Sequence, residues 1–338
     1  MNILFSQIPE QWQKDFFTEK LSSHSLTFLD TVITPENVSA YQNTDVLSVF
    51  VGNPVNEELL SKLPNLTFVT TRSTGFDHVD LKATATHNVI ASNVPFYGEN
   101  TVAEHAMALV LALSRKLPQS LERIEDGKFN YDGLQGWDLK DKTMGIVGGG
   151  HIGMNLARMA KGFSMNVVVY DLFKNEELAK EIGFEYVELE TLLTTSDVIS
   201  LHLPLNEHTT HIIDEKAFKS MKNEAIIINT ARGGLIDTEA LVQALATEKI
   251  AGAGLDVLES EDQLKEEISF VAQNEDQSAF GTLLLDHILM EMENVIVTPH
   301  NAFNSKEALT RILQTTVDNI IAFESGTPQN VLSNGGKE

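Results

Sequence analysis

The chain has 338 residues, 42% apolar and 21% charged, which is enough material for two hydrophobic cores rather than one. Forty-eight acidic residues against 24 lysines and arginines leave a formal charge of −24, with no basic cluster to neutralise phosphates, so nucleic acid is excluded as a partner. Cysteine is absent, which removes disulfides, thiolate metal sites and cysteine nucleophiles, and no metal site is expected.

The start, MNILFSQIPEQWQKDFF, has no basic leader-like region and reads as a first strand. No apolar run approaches the ~18–20 residues of a membrane span, so no membrane is expected and the cytoplasm is the expected compartment. Over the first hundred residues NILFSQI, LSVFVG, LTFVTTR and VIASNV are strand candidates separated by polar, helix-compatible stretches. TVAEHAMALVLALSRKL (101–117) reads as one long helix leading into a Gly-rich linker around YDGLQGWDLKDK. From 143 to 300 the alternation is clear: TMGIVG, NVVVYD, DVISLHLP, AIIINTA, AGAGLDV and NVIVTPH as strands, with helix patterns such as IGMNLARMAKGF and TEALVQALATEK between them. Such alternation predicts α/β architecture, a doubly wound parallel sheet with helices on both faces. Residues 262–293 break it with an acidic, helix-like insertion, and SKEALTRILQTTVDNIIAFES forms a last helix. Two long helices bracketing the 143–300 block predict a discontinuous first domain, 1–100 plus 304–338, and a second domain, 101–303.

The sharpest local signal is Gly148-Gly149-Gly150-His151-Ile152-Gly153 between a strand and a helix. Gly148 permits the tight turn, Gly150 lets the backbone approach a pyrophosphate, and Gly153 allows close helix–strand packing. The helix N-terminus adds free N–H groups and a positive dipole. Asp171 ends the following strand, where a carboxylate accepts both adenosine ribose hydroxyls and repels a 2′-phosphate; NAD is therefore favoured over NADP. Ligands in such sheets bind at the carboxyl ends of strands. Asp171, His202 with Pro204, Thr230, Ala231, Arg232, Asp256 and His300 all fall there. His300 is either a turn residue or an acid/base imidazole, and two carboxylates, Glu259 and Glu261, compete to orient it.

With TRSTGFDHVDL, NVPFYGENTVAEH, GIVGGGHIG, LHLPLNEHT, NTARGGLID, GAGLDVLESE and TPHNAF in that order, the chain resembles, over its full length, the NAD-dependent D-isomer-specific 2-hydroxyacid dehydrogenases, in their D-lactate dehydrogenase-like branch. The resemblance implies a Rossmann cofactor domain inserted in a flavodoxin-like substrate domain, NAD as cofactor, a small anionic 2-oxo or 2-hydroxy acid as substrate, and a homodimer. It implies Arg232 as the clamp on the substrate carboxylate and carbonyl, His300 as the acid/base, and Glu261 rather than Glu259 as its partner. Thr74 and Gly75 match carboxylate-binding backbone donors, while Tyr97 and Phe303 match substrate-side walls that point to pyruvate and D-lactate. His202, Thr209 and Thr230 match cofactor-lining positions, and Asp256 an aspartate near the nicotinamide. Glyoxylate, hydroxypyruvate or a bulkier 2-oxo acid is the alternative substrate. A non-catalytic NAD-sensing regulator is the alternative of another class; it needs no intact Arg232, Glu261 and His300.

Overall fold

The structure is a computed structural model that describes residues 1–261, 264 and 277–333. The chain divides into two compact units, Met1–Tyr97 with the chain from Ser305 on, and Gly98–Asn304.

The first unit carries β1 (Asn2–Phe5), α1 (Gln11–Lys20), β2 (Ser25–Phe28), β3 (Val46–Val49), α2 (Glu57–Ser61), β4 (Phe68–Thr71), α3 (Leu81–Thr86) and β5 (Ile90–Ser92). Its described strands form one parallel sheet in the order β2-β1-β3-β4-β5. Side chains alternate across that sheet, as a two-residue period requires. Ile3, Phe5 and Phe68 enter one core, whereas Leu4, Leu47 and Val69 enter the core on the other face. Apart from the half-exposed edge strand β2, both faces are buried, which is why these strands read as apolar runs.

The second unit begins with α4 (Glu99–Ser114) and α5 (Leu117–Glu125). Next come β6 (Thr143–Val147), α6 (His151–Gly162), β7 (Asn166–Tyr170), α7 (Glu176–Ile182), β8 (Glu185–Tyr186) and α8 (Leu189–Thr195). The remainder is β9 (Val198–Leu201), α9 (Glu215–Ser220), β10 (Ile226–Asn229), α10 (Thr238–Ala246), β11 (Gly252–Leu255), α11 (Gln277–Glu291) and β12 (Val295–Val297). α12 (Lys306–Glu324) returns to the first unit. The described strands of the second unit pair in parallel as β12-β11-β10-β9-β6-β7-β8. The order reverses between β6 and β9, the switch point where sheets of this type bind ligands. Ile226 and Ile228 of β10 enter one core and Ile227 the other, so this sheet too is covered on both sides.

Two expectations are corrected. The 101–117 stretch is not one helix: it breaks at Arg115 and Lys116, where Lys116 adopts a left-handed φ of 49° and Pro118 starts a second helix. The strands are shorter than the candidate segments that marked them: β9 covers Val198–Leu201 of 197–204, and β12 covers Val295–Val297 of 294–300. Of the 262–293 insertion, α11 is described; residues 262, 263 and 265–276 lie outside the described residues. Among the described residues no helix is long and apolar enough to cross a membrane.

Candidate active site

The glycine loop sits at the sheet's switch point. Gly148 has φ +107°, and a Cβ there would lie 2.6 Å from the carbonyl oxygen of His202 at the end of β9. Only glycine lets β6 and β9 close this tightly. Among the described residues Gly150 caps α6 with no side-chain hydrogen bond, and a Cβ on it would meet nothing within 4 Å. The first N–H groups of a twelve-residue helix are thus presented across open space, beside His151 and Ile152. Gly153 is sealed against Gly148 and Ile146. Asp171 closes the next strand; its Oδ2 accepts from the Gly149 N–H at 2.6 Å and its Oδ1 from Phe173 at 2.7 Å. An open helix end flanked by a fixed carboxylate is the donor and acceptor set that a pyrophosphate and a ribose need.

Further along the same strand ends, His202 Nε2 lies 2.9 Å from Ser200 Oγ, and its buried Nδ1 has no hydrogen-bond partner. Burial pushes this imidazole down to about 4, so it is neutral at pH 7. Thr209 Oγ1 donates to the Pro204 carbonyl at 2.7 Å and accepts from Asn206 N–H, closing the loop after β9. Thr230 Oγ1 is buried and unpartnered, a polar group available to a ligand.

Arg232 stands on a turn that its surroundings hold at several points. Asn229 donates from Nδ2 to the Arg232 carbonyl at 2.9 Å and accepts from the Ala231 N–H at 3.0 Å. Gly233 follows flush against the backbone of Leu258 and Glu259, where any side chain would collide. Glu259 braces the turn from below, with Oε1 2.7 Å from His211 Nε2 and Oε2 accepting from Thr238 Oγ1 at 2.7 Å. The His211 N–H in turn reaches the Gly234 carbonyl at 2.9 Å. Glu259, one of the two carboxylates that could have faced His300, is therefore committed elsewhere.

Glu261 faces His300 instead, its two oxygens 2.9 and 3.2 Å from Nδ1. Both side chains are about one-quarter exposed. Among the described residues His300 Nε2 has no hydrogen-bond partner. An imidazole held by a carboxylate at one nitrogen and open at the other can take up and release a proton there. Asp256, buried at the end of β11, lies beneath this turn: Oδ1 accepts from Asn301 N–H at 3.0 Å and Oδ2 from Ala302 N–H at 2.9 Å. Among the described residues no cluster of histidine and acidic side chains could hold a metal ion.

Thr74, Gly75 and Tyr97 belong to the first unit, while Phe303 belongs to the second. Thr74 Oγ1 donates to the Val94 carbonyl at 2.9 Å, and its own carbonyl accepts from Asn93 Nδ2 at 2.8 Å, which fixes the loop after β4. Beneath that loop Arg72 is buried, donating to Ser48 Oγ at 2.9 Å and to the Ser6 carbonyl at 2.6 Å. Burial lowers its guanidinium to about 9, still charged at neutral pH. Arg72 and His105, whose Nε2 lies 3.1 Å from Thr298 Oγ1, both sit in motifs that carry the resemblance, TRSTGFDHVDL and NVPFYGENTVAEH, but their spacing points to no role for either.

A family model described as D-isomer specific 2-hydroxyacid dehydrogenase, NAD binding domain, matches residues 107–302. The D-lactate dehydrogenase of Escherichia coli (strain K12) is 36% identical over 325 residues, covering 94% of this chain and 95% of the relative. The chain belongs to the D-isomer-specific 2-hydroxyacid dehydrogenases. This member of the family is accordingly an NAD-dependent oxidoreductase. A glyoxylate reductase of Korarchaeum cryptofilum is 33% identical over 333 residues, 97% of this dehydrogenase and 92% of the relative. The crystal structure of a D-lactate dehydrogenase from Aquifex aeolicus, complexed with NAD and lactic acid, superposes with a TM-score of 0.83 at 36% identity, covering 96% of each chain. The two parallel-sheet units of this dehydrogenase are the architecture of those relatives.

Proposed function

We propose that this dehydrogenase reduces a short 2-oxo acid, pyruvate foremost, to the D-2-hydroxy acid, with Arg232, Glu261 and His300 as its catalytic residues. The observation that carries the reading is the His300–Glu261 pair, with Nδ1 held at 2.9 Å and Nε2 open at the carboxyl end of the sheet. A regulator that only senses NAD has no need of that pair. The unit Gly98–Asn304 takes the role of cofactor domain, with the Gly148–Gly153 loop at the pyrophosphate and Asp171 at the adenosine ribose. His202, Pro204, Thr209, Thr230, Ala231 and the turn above Asp256 line its remainder. The other unit takes the role of substrate domain.

NADH, when bound, supplies the hydride that reaches the substrate's carbonyl carbon. The chain's own residues manage charge and the proton. Glu261 holds His300 upright through Nδ1, so Nε2 can give its proton to the carbonyl oxygen as that oxygen becomes a hydroxyl. Arg232 offers a planar fork to the carboxylate and the developing oxyanion, which a lysine cannot reproduce. Thr74 and Gly75 take the role of backbone donors to the carboxylate, and Tyr97 and Phe303 that of walls suited to a short side chain. Those two residues favour pyruvate over bulkier acids; glyoxylate and hydroxypyruvate are the competing substrates.

His300→Asn tests the reading, because asparagine tolerates the left-handed φ of 51° at this position but carries no titrating nitrogen. NADH binding, followed by fluorescence, should persist while pyruvate-dependent turnover falls by on the order of 10²–10⁴. Turnover near that of the unsubstituted enzyme would remove His300 from the chemistry.

A further inference from the structure

The TVAEH segment of α4 contains a histidine that the reaction described above does not use. His105 Nε2 lies 3.1 Å from Thr298 Oγ1, 193 residues away in sequence, and 3.5 Å from Asp256 Oδ1. Thr298 Oγ1 is itself 2.5 Å from Asp256 Oδ1. The directions of these bonds follow from counting hydrogens. Asp256 is 1% exposed and accepts two backbone N–H groups, from Asn301 and Ala302, so as a carboxylate it can only accept. The single hydroxyl hydrogen of Thr298 therefore points to Asp256. The hydrogen between Thr298 and His105 must then belong to His105 Nε2. One chain of donors results, running from the α4 imidazole through the hydroxyl to the buried carboxylate.

The carboxylate at the end of that chain braces the turn that carries His300. The backbone N–H of His300 reaches the carbonyls of Asp256 and Thr298, both at 2.9 Å, and the His300 φ is +51°. A non-glycine residue in the left-handed region costs ~1–2 kcal/mol and persists only where its surroundings hold it. The holding groups here are the two Asp256 oxygens, which tie down Asn301 and Ala302 on the far side of His300. A carboxylate buried to this extent is kept in place by the donors it accepts from.

We propose that His105 is a positioning residue for His300. Donation from its Nε2–H, passed through Thr298 to Asp256, keeps the 298–302 turn in the left-handed form that sets the imidazole against Glu261. The inference rests on the assignment of His300 as the proton carrier. It differs from simple packing, because the donor at Nε2, rather than the bulk of the ring, does the holding.

The test compares His105→Leu, His105→Gln and Thr298→Val in the full-length enzyme, with His300→Asn as the reference. His105→Leu keeps volume and removes the donor, whereas the glutamine amide nitrogen can take the place of Nε2. Loosening the turn by a fraction of an ångström should lower kcat ~10–100-fold, with the KM for pyruvate and the affinity for NADH within about twofold. His105→Gln should recover most of the lost kcat, and adding His105→Leu to Thr298→Val should cost nothing further. Unchanged kcat in His105→Leu would overturn the proposal. So would equal losses in the leucine and glutamine variants, or a loss confined to KM. If His105→Leu proves too unstable to assay, the glutamine and valine variants decide alone: kcat kept by glutamine but lost in valine supports the relay, and any other pattern overturns it. Full activity in His300→Asn would instead defeat the assignment of His300, whatever the His105 variants do.

Discussion

In the proposed function, Arg232 is the residue whose chemistry is hardest to substitute. Lysine keeps the charge but loses the fork that meets a carboxylate with two parallel bonds, and the turn bearing it is too well braced by Asn229 and Gly233 to adjust. Arg232→Lys should lower kcat/KM for pyruvate by on the order of 10²-fold, about 3 kcal/mol, in steady-state assays; a loss under threefold would contradict the clamp. A second residue-scale consequence concerns Asp286 on α11. It is buried, with Oδ2 accepting the Ser260 N–H at 3.0 Å and Oδ1 without a partner. Burial first, and then the charges of Glu259 and Glu261, raise this carboxyl from 3.8 to about 6 against the opposing Ser260 bond. A raised acid holds its proton longer in the folded state, so stability falls as pH rises from about 4 to 6 and stays lowered above that. Asp286→Asn removes the penalty: its unfolding free energy should exceed that of the parent by on the order of 1–3 kcal/mol at pH 7.5 and match it near pH 4. Denaturant titrations at the two pH values check the sign. A variant less stable at pH 7.5 would show that the ionised carboxylate is wanted where it is.

Elements explain which parts of the site were legible in the sequence. Strands buried on both faces announce themselves as apolar runs, so AIIINTA and TMGIVG mark β10 and β6 directly, and the polar residues that end them mark the binding edge. β2 and β8 escaped notice because each is a short edge strand with a half-exposed pattern and no apolar run to mark it. The break between α4 and α5 hid because LSRKLP keeps a helical periodicity across Lys116, and only the left-handed φ ends the helix. Glu259 and Glu261 are indistinguishable by spacing alone. What separates them is α10 and the loop after β9, which supply Thr238 and His211 to Glu259. Gly233 belongs at this scale as well. Gly233→Ala would drive the Arg232 turn off the backbone of Leu258 and Glu259, and should raise the KM for pyruvate at least ~10-fold while leaving NADH affinity within about twofold. Parallel loss of NADH binding would mean that the turn and the cofactor loop move as one.

For the whole molecule, the charge of −24 repels the very anion that the site is proposed to hold. Arg232, the proposed carboxylate clamp, is a local cation against that field, and salt screens the distant acidic surface more than a group in contact with its ligand. Raising ionic strength from ~10 to ~150 mM should therefore raise kcat/KM for pyruvate; a steady fall would mean that the local cation dominates even at a distance. The surface also bears on assembly. Leu117, Leu121 and Ile124 of α5 expose 47%, 65% and 53% of their area along one helix face, with Phe129 and Tyr131 exposed just beyond. An apolar row of that kind would suit the homodimer that the family resemblance implies, with a second copy of the chain covering it. Leu121→Glu should halve the mass measured by sedimentation, and an unchanged dimer would move the interface elsewhere.

The most direct measurement is NADH oxidation followed at 340 nm against pyruvate, glyoxylate, hydroxypyruvate and bulkier 2-oxo acids, with chiral analysis of each product. The expected result is the highest kcat/KM with pyruvate and D-lactate as the product. An L-product, or no oxidation with any member of the panel, would contradict the assignment of Arg232, Glu261 and His300 as a D-specific catalytic set.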